Sequence, residues 1–467
     1  MHADESAVDL RPGPAHREWA RLLGALGSGE AARLAREIEY SCRELGIWQH
    51  TDLLPVQPFV VDAASGRGLD ELNARLGRLL VSHALDIAAG DFGRLADHTG
   101  VSQDTRWFLP AAQPLGRVLG CSRADVLVQT GRPKFLEFNF GACLNGATST
   151  PVLTRALFES GPGIEVRRAH GISTQSVFAA RLAWLTDQLP EHGGRVALLG
   201  FARDGDEGSL RAFELEAAHH SAQGVPCDFV PFDEVDIDAG GLHWQGVTYS
   251  AAVKYFMASE RVINDYADRL AALEQSDVAL FGSQLAALFT SKALMADLFQ
   301  RGDLSPTQQR LLDFVPWTAR LREGPARRGG AVVDAAEWAT THQESAVLKP
   351  CNAFGSRGVI LGSATSTGDW EQLLREVVRS DDYVVQEAVA PDPWPLVYWD
   401  RQREELTDVT APVLLGPFRV GERSGGCYTK QPGVNEPARL MRSRDGLSFG
   451  CVVTAEQAGT PTVEPGW

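Results

Sequence analysis

Arg123, Asp125, Glu137 and Asn139 fall in one short stretch, and their types and spacing suit cation and phosphate chemistry. The stretch reads as a β-hairpin: DVLVQ, a turn at Thr130-Gly131-Arg132-Pro133, then KFLEFNF. Strand side chains alternate, which places Leu136, Phe138 and Phe140 on one face and Glu137 and Asn139 on the other. Carboxylates on neighbouring strands stand about 5 Å apart across the ladder. Mg²⁺ prefers carboxylate and amide oxygens shared with phosphate oxygens. Asp125, Glu137 and Asn139 are therefore candidate ligands for one or two bridged Mg²⁺ ions. The competing reading is a solvent-facing hairpin with incidental acids.

Three further stretches carry usable groups. AVLKPCNAFGSRGVILG brings Lys349 at the end of a strand, followed by a small-residue loop with Asn352, Gly355, Ser356 and Gly358. Glycine lets backbone N–H groups approach phosphate closely, and a lysine supplies the opposite charge. No GK[ST] closes the loop, so it is not a Walker A motif. YVVQEAVA ends a strand on Gln386 and Glu387, which offer side-chain and backbone partners to a nucleotide. GPFRVGERSGGCYTKQPGVNE gathers Arg419, Arg423, Tyr428 and Lys430 around a Gly-Gly pair. Cations beside a transferred phosphoryl group stabilise its spreading charge. Each stretch also has a plain reading: an ordinary turn, an edge strand, a Gly-rich surface hairpin.

The elements that must position these groups follow from apolar periodicity. Residues 1–115 read as a mainly helical segment, with helices over 18–47 and 69–86. Residues 116–190 hold the metal-binding hairpin and a helix over 172–189. Residues 191–275 read as a small α/β unit: RVALLGF, a helix over 209–223, a strand at 227–230 and short strands at 242–244 and 253–256. Residues 276–450 form the remaining lobe, opening with one strong helix over 277–301. It then has strands at 346–350 and 383–388 around a helix at 370–379. The tail 451–467, rich in small residues, Pro and Gly, is expected to be loose.

Bulk properties narrow the function. A length of 467 residues suits two or three domains packed as one body. The formal net charge of −16, without a Lys/Arg run, argues against nucleic acid and anionic membranes as partners. Four arginines between Arg320 and Arg328 read as a solvated loop. Seven scattered cysteines lack zinc spacing and suit free thiols in a reducing cytoplasm. The first twenty residues contain no apolar run, so no signal peptide is expected, and no stretch is long enough to span a bilayer. GFARDGDEG lacks the GxGxxG spacing of a dinucleotide loop. His219-His220 has no third ligand at zinc spacing.

Taken together, the stretches resemble the circularly permuted ATP-grasp superfamily, in particular the ATP-binding amide-synthase domain of glutathionylspermidine synthases. Arg123-Ala124-Asp125 and Glu137-Phe138-Asn139 match that family's Arg-x-Asp and Glu-x-Asn, twelve residues from Asp to Glu. TSKALMADLF is similar to its lysine helix and offers Lys292. LSPTQQRLLDFVPWT is similar to the segment leading to its next strand, LKPCNAFGSRGV to its lysine and Gly-rich loop, and YVVQE to its Tyr-Val-x-Gln-Glu strand. The hairpin precedes the lysine strand, as in the permuted group. The match spans roughly residues 115–440.

The resemblance implies a mixed α/β ATP-grasp fold, circularly permuted, with a pre-ATP-grasp-like unit at 191–275. It implies ATP and Mg²⁺ as cofactors, with two ions on Asp125, Glu137 and Asn139. Lys292, Lys349, Asn352, Gly355, Ser356 and Gly358 would hold phosphates, and Gln386 and Glu387 adenine. Arg123 would stabilise charge, with Lys430 or Arg423 in place of the family's catalytic Arg. The implied reaction joins a small carboxylate to an amine through an acyl-phosphate, on amino-acid, peptide or polyamine substrates. A non-catalytic nucleotide-binding scaffold and a small-molecule kinase are the alternatives. The family's Asp-Thr after Glu-x-Asn is replaced here by FGACLNGATST, which implies a different acceptor site. A homo-oligomer is compatible with the sequence.

Overall fold

The computed structural model describes residues 8–44, 52–101, 106, 109, 113–189, 194–201, 207–238, 241–256, 260–322, 325–431 and 447–456. Its centre is a seven-stranded sheet. Along it lie Phe59–Asp62, Ser448–Ala455, Arg423–Gln431, Leu414–Val420, Cys121–Gln129 and Arg132–Phe140, with Ile172–Ser173 paired to Ser448–Ala455. One face carries Ala124, Val126, Phe135, Phe138 and Leu415. It buries them against Leu69, Leu72, Leu76 and Leu79 of the long helix Ala63–Ala88. Asp62 caps that helix by accepting from Ser65 N–H at 2.9 Å.

The other face of the sheet stands opposite two smaller layers. One is a parallel sheet in the order Ala279–Phe281, Ala251–Lys254, Val196–Gly200, Cys227–Pro231. Its strands are almost wholly apolar, as strands covered on both faces must be. The other is an antiparallel sheet in the order Thr318–Arg320, Tyr383–Glu387, Ala346–Pro350, Ile360–Leu361.

The hairpin forms, but its turn is only Thr130-Gly131, because Arg132 and Pro133 already pair with Gln129 and Val128, and its faces differ from expectation as well. Asp125 pairs with Glu137, but Val126 pairs with Phe135, so Leu136 is an extra residue in a β-bulge. The bulge puts Phe135 rather than Leu136 into the core beside Phe138. The turn needs positive φ at Thr130 (52°) and Gly131 (78°). Asp392 holds it by accepting from the N–H of Thr130 at 2.8 Å and of Gly131 at 2.6 Å.

Several other expectations are corrected. The segment 1–115 is not only helical, because Phe59–Asp62 runs parallel to Ser448–Ala455 at the sheet's end. The helix expected over 277–301 is three pieces: the strand Ala279–Phe281 and the short helices Ala286–Phe289 and Lys292–Leu298. Gly282 makes the break. Its φ is +75°, and a Cβ there would lie 2.7 Å from that of Ala142. The tail is not loose at its start, since Cys451 and Val453 are fully buried in a sheet strand. Residues 457–467 lie outside the described residues. Of the four arginines at 320–328, Arg322 and Arg327 are exposed as expected, whereas Arg320 donates to Asp297 at 3.1 Å and Arg328 to Glu387 at 3.0 Å.

Candidate active site

The sheet face turned away from the long helix carries the hairpin's polar groups. Asp125 and Glu137 are direct cross-strand partners, as are Arg123 and Asn139. Arg123 donates through Nη2 to Asp125 Oδ1 at 2.7 Å and through Nη1 to the Asn145 carbonyl at 2.7 Å. Two strands away, Tyr428 and Lys430 share this face. Gly416 lies between: a Cβ there would sit 3.0 Å from Arg123 Cδ and 3.1 Å from Tyr428 Cδ1. The missing side chain lets the Arg123 guanidinium reach over the Tyr428 ring, 5.6 Å from its centroid. Lys430 is buried, which lowers its pKa, while Asp125 pulls it back up.

Two lysines arrive from the opposite layer. Lys292, at the start of its helix, lies 3.3 Å from Glu137 Oε2 and donates to the Ala353 carbonyl at 2.9 Å. Lys349 donates to Gln386 Oε1 at 2.6 Å. Burial alone would raise the Glu137 carboxyl, but the Lys292 and Lys349 cations outweigh it and hold the pKa at about 2. Burial lowers Lys349 to about 8, against the pull of Glu137.

Gln386 joins the layers. Its Nε2 donates to the Leu136 carbonyl at 3.1 Å and to Thr318 Oγ1 at 2.9 Å. The bulge at Leu136 thus turns a hairpin carbonyl toward the lysine strand. Between the layers is a cavity of about 300 Å³. Asp125, Glu137, Lys349, Ser356, Gln386 and Glu387 supply its polar wall. Leu136, Val347, Val359, Leu361, Val389 and Leu414 supply an apolar one. A larger cleft of about 1060 Å³, beside Trp184 and Leu119, borders none of Asp125, Glu137, Lys349 or Gln386. We place the chemistry in the smaller cavity because the charged groups converge there.

Not every expected residue reaches it. Arg423 lies at the far end of its strand, on the larger cleft, with its guanidinium 2.7 Å from Asp187 Oδ2. Its distance along the strand from Lys430, not its charge, removes it from the site. Asn352 is turned away, donating to the Thr99 carbonyl at 2.7 Å. Glu387 lines the cavity, but its side chain pairs with Arg328 and its N–H donates to the Trp317 carbonyl at 2.8 Å. Gly355, Ser356 and Gly358 all take positive φ, at 63°, 57° and 71°. A Cβ on Gly358 would lie 2.7 Å from Pro350 Cγ, so this turn packs directly on the lysine strand. Among the described residues no three His, Cys, Asp or Glu side chains cluster as a metal cage.

No family model matches the sequence, and no curated protein does. Solved structures do: 48 chains resemble this one. A glutathione synthetase-like effector from Globodera pallida, in apo form, covers 91% of this chain and 97% of its own. Its TM-score is 0.57 at 11% sequence identity. This chain shares the fold of that effector. A candidate gamma-glutamylcysteine synthetase from Methylobacillus flagellatus covers 79% of this chain and 85% of its own, at 11% identity. Its TM-score of 0.32 is too low to bear on the fold. Within this fold, the apolar wall of the cavity has no counterpart in the sequence motifs. Its residues come from several separate segments, and each looks like ordinary core in sequence. The strand Ile360–Leu361 is too short to give a periodic signal.

Proposed function

We propose that the chain is a Mg·ATP-dependent ligase of the ATP-grasp type, circularly permuted, joining a small carboxylate to an amine. The observation that carries this reading is the convergence of Asp125 and Glu137 with Lys349 and Gln386 across one cavity between two sheets. The groups fit the nucleotide. The apolar wall suits a planar base, and Lys349 and Lys292 suit phosphate oxygens. Asp125, Glu137 and Asn139 offer oxygen donors to Mg²⁺, which needs few protein ligands because it keeps water and phosphate oxygens. Bound Mg²⁺ would neutralise phosphate charge and take over from Lys292 and Arg123 as a counter-ion to the carboxylates.

In this reading a substrate carboxylate oxygen attacks the γ-phosphorus, the bond to the β–γ bridging oxygen breaks, and ADP departs. The amine nitrogen then attacks the acyl carbon. Phosphate leaves, the nitrogen loses a proton and the amide remains. Lys349 and Lys292 hold phosphate oxygens in line, and Arg123 and Lys430 face the charge that spreads during transfer. The protein's part is positioning and preset charge. A second reading, a nucleotide-binding scaffold without turnover, draws on the fact that Asp125 and Glu137 already have protein cations as partners.

The test is calorimetric titration with Mg·ATP, followed by ADP and phosphate release with pools of amino acids and amines. The wild type is expected to bind and to turn over with particular pairs. Glu137→Gln is expected to keep the fold and lose at least about 100-fold in turnover. Binding without turnover for any pair would favour the scaffold, and no binding at millimolar nucleotide would remove both readings.

A further inference from the structure

Behind the site lies a buried charged group that the reaction scheme does not use. Arg181, on the helix Val177–Gln188, is 2% exposed, and Glu216, on the helix Glu207–Ala222, is fully buried. Arg181 Nη1 donates to Glu216 Oε1 and Oε2 at 3.2 and 3.1 Å and to Tyr255 Oη at 3.2 Å. The Tyr255 hydroxyl donates onward to Glu216 Oε1 at 2.8 Å. Burial would raise the Glu216 carboxyl, yet the Arg181 cation holds it at about 2. Taking both charges out of water is costly, and such a pair adds little to stability by itself. It therefore calls for a structural purpose.

The remaining arm of Arg181 supplies one. Nη2 donates to the Ala142 carbonyl at 2.7 Å. Ala142 opens the segment that follows the Glu137 strand, and three residues on, the Asn145 carbonyl accepts from Arg123 Nη1 at 2.7 Å. Arg123 in turn holds Asp125. An unbroken path thus runs from Glu216 through Arg181, the Ala142–Asn145 backbone and Arg123 to Asp125. The segment contains no regular element, and Gly141 and Gly146 both take positive φ; Ala142 and Ala147 anchor it in the core, and the Ala142 carbonyl also accepts from Leu144 N–H at 3.0 Å, so Arg181 is its side-chain tie to the buried ion pair.

We propose that Arg181 is a positioning residue, held by Glu216 and Tyr255, that clamps Ala142–Asn145 and so sets Arg123 against Asp125 at the substrate end of the site. The role of the site rests on the ligase reading, whereas the clamp itself is a statement about the backbone. A guanidinium can fork to Glu216 and to Ala142 at once, and an ammonium cannot match that geometry.

The test uses the full chain, Arg181→Lys, and the paired variant Arg181→Met with Glu216→Leu, which removes both charges without stranding one. Amide exchange is followed over 141–148, Mg·ATP affinity by calorimetry, and ADP release with the substrate pool. Exchange over 141–148 is expected to quicken by about tenfold or more while the sheet strands stay protected. Nucleotide affinity is expected to hold within about twofold, and turnover efficiency with the carboxylate to fall by about 100-fold, as for an ångström-scale misplacement. Unchanged exchange over 141–148 in the paired variant overturns the clamp. So does a uniform loss of protection across the fold, which would make the pair a general stability element. If the wild type neither binds nor turns over nucleotide, the ligase reading fails, and the exchange result still decides the clamp.

Discussion

Glu137 and Lys349 show how the site stores charge. Lys349 is buried and Glu137 half-buried, and desolvation disfavours each ion, yet Lys292 and then Lys349 keep the carboxylate ionised, while burial leaves the lysine at about 8 against the pull of Glu137. The lysine is the softer partner because burial, and then the nearby Lys292 cation, lower it. A bound phosphate favours the charged form, which predominates below pH 8. Nucleotide affinity is therefore expected to fall as pH rises through about 8. Calorimetry at pH 7 and pH 9 should show the loss, and Lys349→Met should bind weakly at both and flatten the profile. An equal fall in the methionine variant would assign the pH effect elsewhere.

At the scale of elements, two irregularities set the geometry. The bulge at Leu136 sends a side chain to the cavity and a carbonyl to Gln386. The turn after Lys349 depends on left-handed backbone at Gly355, Ser356 and Gly358. The two glycines differ in surroundings. Gly355 has no atom within 4 Å of a built Cβ, whereas Gly358 faces Pro350 Cγ at 2.7 Å. Gly355→Ala is expected to cost about 1 kcal/mol from its backbone conformation alone. Gly358→Ala should cost about 2–3 kcal/mol and weaken nucleotide binding, since Pro350 adjoins Lys349. Urea unfolding of the two variants gives the ranking, and equal costs would discount the Pro350 contact.

For the whole molecule, segments distant in sequence close one sheet. Ser448–Ala455 lies between Arg423–Gln431 and Phe59–Asp62, so removing it unpairs strands on both sides. Truncation after residue 447 is expected to abolish the cooperative thermal transition rather than trim a free end. A second device couples the N-terminal helix Pro14–Gly24 to the body. His16 donates from Nε2 to the Pro395 carbonyl at 2.7 Å and packs edge-on against Trp394, 5.1 Å between centroids. Burial lowers its pKa to about 4. Above pH 6.5 the ring is neutral folded or unfolded, so it adds no pH dependence. Below that the unfolded chain takes up a proton that the folded one refuses, and stability falls as pH drops toward 4. The expected loss between pH 7 and pH 5 is about 2 kcal/mol. Urea titrations at the two pH values should show a smaller difference for His16→Gln.

The sequence by itself determined the parts that rest on local pattern. Alternation and a Gly-containing turn were enough to put Asp125 and Glu137 on neighbouring strands of one hairpin, but a regular register would set Asp125 against Leu136, and the bulge makes Glu137 its partner. Strand composition placed Lys349 and Gln386 on strands, where they prove to be two residues apart in pairing register, Gln386 opposite Val347. Only the tertiary structure decided which cations meet those acids. Lys430 reaches the shared face and Arg423 does not, because seven residues of extended chain carry them to opposite ends of one strand. It also decided that Leu136 leaves the core, since a bulge depends on the partner strand's register. Ser448–Ala455 became a sheet strand because Phe59–Asp62, far back in the chain, offered it an edge to pair with. Periodicity reports the surroundings of neighbours in sequence; hydrogen bonds between distant strands leave no such trace.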